Sequence, residues 1–527
     1  MPFARLGNQR FCAALALIVG FAAPATSATL ETGSDVTVRW DTTVLLSTLL
    51  QPGKAALNLR NYCGGTAATA REHDCTYGEG LRRGRIDLTT SLDLSAGSFG
   101  AHVGVSSWYD AVDRQYESNG LDPSAHGGQA IEFAETYLRG EFDLAGDRVS
   151  TRVGRQLLVW GETLFATSNG IAAAQAPVDL YRPQTHGAYG GADSFLPVNQ
   201  ISVNWQRADG WSVEAYAQLE WRRSRIDPHD AYAGASDVLG AEGNRAFALD
   251  TSDTTTPVYT RLTDHKPRDI GQFGVALRGQ IANLDVGFYA IRYDAKTPTV
   301  LIQPGRFAPA SYRLDYVRGI ELYGLSVAGP LGEAGVGFEL SARRGVPLVN
   351  GGIALPAGTN IAIVAPRSIE PIGDALQAQF SWLQKLSPSS LFFNGADWSG
   401  EITANQLLSR NNVAQLRNFD RTKFAASIRT VLAPHIFQAL PHLDLSLPFG
   451  AGYNFVGLSS IDPTMNRGTG DLSAGIRADF EQAWRAELTF THYFGRVKND
   501  TTGLGIGGAP QRLSNWDSIQ ITLQRSF

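Results

Sequence analysis

The chain has 527 residues, a formal net charge of −5, and only 18% charged residues against 43% hydrophobic ones. That charge argues against a nucleic-acid partner, which needs a basic stripe. The length suggests several soluble domains, yet no linker, low-complexity tract or apolar run of spanning-helix length breaks the chain, so neither a string of soluble domains nor a helical membrane protein fits.

The start reads as an export signal. Arg5 and Arg10 supply positive charge, residues 11–23 form an apolar run too short to span a bilayer, and Thr26 and Ala28 are small enough for a cleavage site. Residues 1–28 are therefore expected to be removed, leaving 29–527. Cys12 goes with the signal. Cys63 and Cys75 remain, and an oxidising compartment favours a disulfide that pins a surface loop. A metal site with His73 is the rival reading, set aside because no fourth ligand lies nearby. No cofactor or metal is expected.

Period-two alternation then dominates. Ile86, Leu88, Leu92 and Leu94 oppose Asp87, Thr89, Ser91 and Asp93; Val336, Phe338 and Leu340 oppose Gly337, Glu339 and Ser341; Ile519, Ile521 and Leu523 oppose Gln520, Thr522 and Gln524. The pattern predicts eighteen strands: 35–46, 84–95, 99–110, 131–143, 147–158, 199–206, 211–222, 269–280, 283–294, 319–328, 334–344, 374–385, 390–403, 422–431, 443–454, 470–480, 484–495 and 516–527. Connections alternate between short turns and long loops (47–83, 159–198, 223–268, 295–318, 345–373), with 432–442 as one longer turn. Trp108, Trp205, Trp211, Trp221, Trp382, Trp484 and Trp516 fall near strand ends, as an interfacial girdle would place them. The last strand ends on Phe527, which resembles the aromatic terminal signal that barrel-assembly machinery recognises. Together these features predict an all-β fold, a transmembrane antiparallel up-and-down β-barrel of about eighteen strands in the outer membrane of a Gram-negative bacterium, contacting outer-membrane lipid and lipopolysaccharide.

A barrel this wide encloses water unless something fills it. The 159–198 connection is too apolar for a solvated loop, and it is the expected plug or gate inside the lumen. Its candidate gate residues are Trp160, Glu162, Leu164, Phe165, Asn169, Ile171, Gln175, Pro177 and Asp179. A passive cap over the barrel mouth is the plainer alternative. Charges expected to face the lumen are Glu135, Arg139, Glu141, Arg152, Glu220, Arg222, Glu339, Arg343, Arg477 and Glu487. They either select solutes by a transverse field or lock the wall as a lattice of ion pairs. Arg222, Arg223 and Arg225 are expected at an outer strand end, solvated or meeting anionic headgroups or solutes. No enzyme is expected, since there is no Gly-x-Ser-x-Gly elbow, zinc-protease helix or phosphate-binding loop, and the nine histidines are scattered.

A resemblance joins these features. Gly154-Arg155-Gln156, Trp160-Gly161-Glu162, Asn169-Gly170-Ile171 and Gln175-Ala176-Pro177-Val178-Asp179 form a central cluster. With Val38-Arg39-Trp40-Asp41, Trp108-Tyr109-Asp110, Leu219-Glu220-Trp221-Arg222 and Leu322-Tyr323-Gly324-Leu325-Ser326, the cluster resembles domain-of-unknown-function family 1302. The resemblance implies an outer-membrane channel for small hydrophobic or amphipathic compounds, with an inner-membrane exporter and a periplasmic component as possible partners. Read from the residues alone, a porin for small charged solutes and a non-transporting partner of an export complex stay open.

Overall fold

The computed structural model describes residues 28–32, 36–53, 80–112, 128–180, 194–226, 246–248, 258–303, 310–349, 353–355, 370–388, 393–411, 421–495 and 517–527. Residues 1–27 of the expected export signal 1–28, both Cys63 and Cys75, and Trp516 lie outside these residues. In chain order the strands are β1 (Ala28–Thr32), β2 (Val36–Gln51), β3 (Gly80–Ala96), β4 (Phe99–Asp110), β5 (Gln129–Leu144), β6 (Asp147–Gln156), β7 (Val198–Gln206) and β8 (Ser212–Gln218). There follow β9 (Ala246–Ala248), β10 (Val258–Arg261), β11 (Phe273–Ile281), β12 (Leu284–Tyr293), β13 (Thr299–Gln303), β14 (Ser311–Asp315), β15 (Ile320–Leu331), β16 (Ala334–Pro347) and β17 (Ile353–Ala354). The chain ends through β18 (Ile372–Leu386), β19 (Ala396–Asn411), β20 (Phe424–Leu440), β21 (Leu443–Ser446), β22 (Phe449–Val456), β23 (Gly470–Phe480), β24 (Trp484–Phe494) and β25 (Ser518–Ser526).

Each wall strand pairs antiparallel with the next, and β25 closes onto β2 from Thr43↔Ser526 to Leu50↔Ile519. The cylinder therefore has no open edge. The wall is eighteen strands, because β21 and β22 are two pieces of one strand lying between β20 and β23. The break falls at Leu447–Pro448, where proline has no N–H to give to the ladder. β1 extends the sheet beside the start of β2.

The burial pattern inverts that of a soluble protein. Phe273, Val275, Leu277, Phe338, Leu340, Phe380, Ile402 and Ile521 are exposed, while Glu339, Ser341, Arg343, Gln377, Gln379, Glu401 and Thr403 are buried. Apolar side chains facing out and polar ones facing in require hydrocarbon outside the wall. This places the chain in the outer membrane. Aromatic residues collect at the short-turn rim: Trp205 and Trp398 are exposed, Trp382 packs edge-on against Trp398, and Trp484 covers the Arg525 guanidinium at 4.7 Å. Trp108 and Trp221 do not belong to that girdle. Both are buried, Trp108 between Arg85 and Arg225 and Trp221 against Tyr316. A strand-end position alone does not say which side of the wall an indole takes.

Several boundaries move. Residues 432–440 continue β20 instead of forming a long turn, and β19 starts at Ala396 and runs on to Asn411. β8 ends at Gln218, four residues before the expected end. The connections 223–268, 295–318 and 345–373 hold a second sheet in the order β17-β13-β14-β10-β9. All five residues of β13 and of β14 are buried. Short strands buried on both faces leave no alternation to read.

Candidate functional site

Residues 157–180 leave the end of β6 and meet the inward-facing side chains of the wall. Two carboxylates hold them. Glu401 on β19 accepts the N–H groups of Leu164 (2.6 Å), Phe165 (3.3 Å) and Ala166 (2.8 Å). Glu339 on β16 accepts the N–H groups of Glu162 (2.9 Å) and Ile171 (2.5 Å) and the Thr163 hydroxyl at 3.3 Å. Gly161 sits at φ +96°, and a Cβ there would strike the Glu339 carboxylate. Glycine at that place lets the backbone come within reach of the acid. Arg343 donates to the Asn169 and Gly170 carbonyls at 2.8 and 2.7 Å, and Ser168 donates to Asp462 at 2.6 Å.

The same segment has an apolar side. Trp160 packs on Tyr216 and Tyr289 with ring centroids 5.2 and 5.6 Å away, and its indole N–H donates to Glu214 at 2.8 Å. Ile171 is fully buried and opens the short 3-10 helix Ile171–Ala174. It packs in one cluster with Trp160, Ala174, Ile291, Tyr293, Ile320 and Leu322. Gln175 ties the turn together, its side-chain oxygen accepting the Trp160 N–H at 2.7 Å. Lys296, just beyond the end of β12, donates to the Ala174 carbonyl at 3.1 Å and to Gln272 at 3.3 Å. Burial pushes its ammonium down to about 7, with Asp294 opposing. Burial raises the Glu162 carboxyl, against the pull of Arg278.

Beyond the turn, the Pro177 carbonyl accepts the Leu196 N–H at 2.8 Å, and Asp179 accepts from Arg225 at 2.6 Å. Arg225 and Arg222 also reach Glu132, at 2.9 and 3.0 Å. These two half-buried arginines are therefore engaged in ion pairs, not solvated or presented to headgroups. The early end of β8 explains this: past Gln218 the chain leaves the ladder, and Arg225 bridges to Asp179 instead of continuing the wall.

All nine expected gate residues thus lie on one stretch of chain that meets the wall's inner face. The expected lumen charges divide. Glu135 accepts the Leu157 N–H at 2.8 Å, and Glu339 and Arg343 hold the segment as described. Glu220 pairs with Arg155 at 3.0 Å, Arg477 with Glu487 at 2.9 Å, and Arg139 lies 3.9 Å from Asp93. Arg152 stacks on Tyr137 at 5.2 Å. Glu141 lies exposed near the short-turn rim. Two acids at the centre of the contact, Glu401 and Glu214, were not singled out from the sequence. Their alternation with apolar neighbours was legible, but nothing local distinguishes them from other inward acids. Among the described residues no group of three or more His, Cys, Asp or Glu could hold a metal ion.

Comparison with known proteins adds a family. The model described as "Protein of unknown function (DUF1302)" matches residues 9–527. No curated protein matches. Among solved structures, OccAB1 of Acinetobacter baumannii has a TM-score of 0.45 at 10% identity, over 95% of this chain and 99% of that one. OpdK of Pseudomonas aeruginosa has 0.43 at 9% identity, over 95% and 100%. OccK2 of the same organism, solved with glucuronate, has 0.40 at 9%, over 93% and 98%.

Proposed function

The chain belongs to the DUF1302 family, and within it we propose that this member is a passive outer-membrane channel in which residues 157–180 act as an internal plug that narrows the bore. The observation that carries the reading is the pair of carboxylates, Glu339 and Glu401, that fix this segment to the inner face of a closed eighteen-strand wall. Such a wall encloses solvent wherever it is not filled. A segment held by directional bonds keeps one position in the bore and so sets its width.

The solute class assigned here is small and amphipathic. Leu164 and Phe165 remain half-buried on the segment and offer apolar surface. The polar side chains Ser473, Thr489 and Thr522 alternate with outward apolar ones along β23–β25 and are shielded from the lipid side. A second reading, a porin for small charged solutes, draws on one specific feature: Arg139 and Arg152 stand directly opposite each other on β5 and β6. Like charges in that register repel and favour an anion between them.

Single-channel conductance in planar bilayers tests the proposal. Deleting 163–180 should raise the conductance severalfold; an unchanged value would remove the constriction. Block of the wild-type current by an amphipathic solute supports the first reading. Insensitivity to such solutes, together with strong anion over cation selectivity, supports the second.

A further inference from the structure

We propose that Arg225 is the positioning residue through which the second, five-stranded sheet controls where the interior segment sits. The inference rests on the reading of 157–180 as the constriction and adds what governs it.

Arg225 uses both terminal nitrogens of its guanidinium. One nitrogen donates to Asp179 of the segment at 2.6 Å, and the other to Glu132 of β5 at 2.9 and 3.1 Å. The group also stacks on Trp108 of β4 at 5.2 Å, a ring that Arg85 of β3 approaches at 4.8 Å. A planar fork that pairs and stacks at once is something lysine cannot reproduce. The backbone doubles the link. Arg225 N–H donates to the Val178 carbonyl and Leu180 N–H to the Arg225 carbonyl, both at 2.9 Å. Any displacement of 224–226 therefore carries 178–180 with it.

The other side of this joint leads to the second sheet. Ser224 N–H donates to the Lys296 carbonyl at 2.8 Å, and the Trp221 indole donates to the Ala295 carbonyl at 3.2 Å. Lys296 lies three residues before β13. The Trp221 ring packs edge-on against Tyr316, 4.6 Å away, which directly follows β14. β13 and β14, which pair with each other in the second sheet, thus both adjoin residues that touch the joint. A static brace would need the wall contacts to Glu132 and Trp108 only. The additional links to residues flanking β13 and β14 make the second sheet a lever on the segment.

The experiment records gating of the full chain in planar bilayers for Arg225→Lys, Arg225→Ala and Tyr316→Ala, with gel mobility of the folded barrel as the folding control. The expected result is more frequent transitions between conductance levels in both Arg225 variants. Tyr316→Ala, one ring removed from the joint, should shift the frequency in the same direction. Asp179→Asn should add little to Arg225→Ala, as coupled partners do. Wild-type gating in Arg225→Ala would overturn the positioning role. Altered gating in the Arg225 variants with wild-type gating in Tyr316→Ala would reduce Arg225 to a brace and overturn control from the second sheet. Either result is distinct from failure of the constriction itself, which is an unchanged conductance after deletion of 163–180.

Discussion

The wall from β15 to β19 and the wall from β20 to β24 present similar acids and arginines to the interior and use them differently. On the second, charges pair within the wall: Arg429 with Asp471 at 3.0 Å, Arg477 with Glu487 at 2.9 Å, Arg485 with Asp479 at 2.7 Å. The first pair reaches across β22 because Gly452 leaves room; a Cβ there would meet both the Arg429 and Asp471 side chains. On the first wall, Glu339 and Glu401 have no ion pair with any described residue. Their oxygens take backbone N–H groups of 162–171 instead. Even Arg429, directly opposite Glu401 in the ladder, turns away to Asp471. An inward acid whose arginine neighbours are engaged elsewhere marks the place where another segment docks.

That contrast can be broken by substitution. The largest effect is expected for Glu401→Leu, which strips the acceptor from three N–H groups at about 1–3 kcal/mol each. Protease cleavage within 163–170 should then speed up strongly, and Glu401→Gln, which keeps an acceptor oxygen, should fall between. Next is Trp160→Ala, a loss of roughly 3–5 kcal/mol if the apolar side behaves as a packed core. It should loosen the segment while leaving β23 and β24 unaffected by hydrogen exchange.

A smaller effect comes from Lys296. Its folded value of about 7 lies below the ordinary 10.5, so the unfolded chain binds the extra proton between them. Stability should therefore rise as pH climbs through that window and be lowest below it, where the buried lysine carries its charge. Lys296→Met should flatten the pH dependence of the unfolding temperature. The smallest effect is expected for Arg477→Ala with Glu487→Ala. Removing both members leaves no unpaired charge, so the loss should be about 1 kcal/mol or less, and segment cleavage should stay at the wild-type rate.

The barrel itself was almost wholly legible. Alternation states which side of the wall each residue takes, and eighteen periodic stretches match eighteen wall strands. What alternation does not state is the partner. Glu339 and Arg343 read as lumen charges, but that one takes N–H groups and the other carbonyls depends on a connection 168 and 173 residues away in sequence. Arg225 reads as solvated when the alternation is continued past Gln218, which keeps Arg222 on the strand; β8 ends at Gln218. β13 and β14 were invisible for a different reason: strands of five residues buried on both faces have no period to detect.

The most direct measurement is the rate at which a thiol reagent modifies Ala166→Cys, in a chain with Cys63 and Cys75 replaced by serine, with and without Glu401→Leu. The account predicts slow modification when Glu401 holds the Ala166 N–H and rapid modification when it is gone. Equal rates in the two proteins would mean that the carboxylate does not dock the segment.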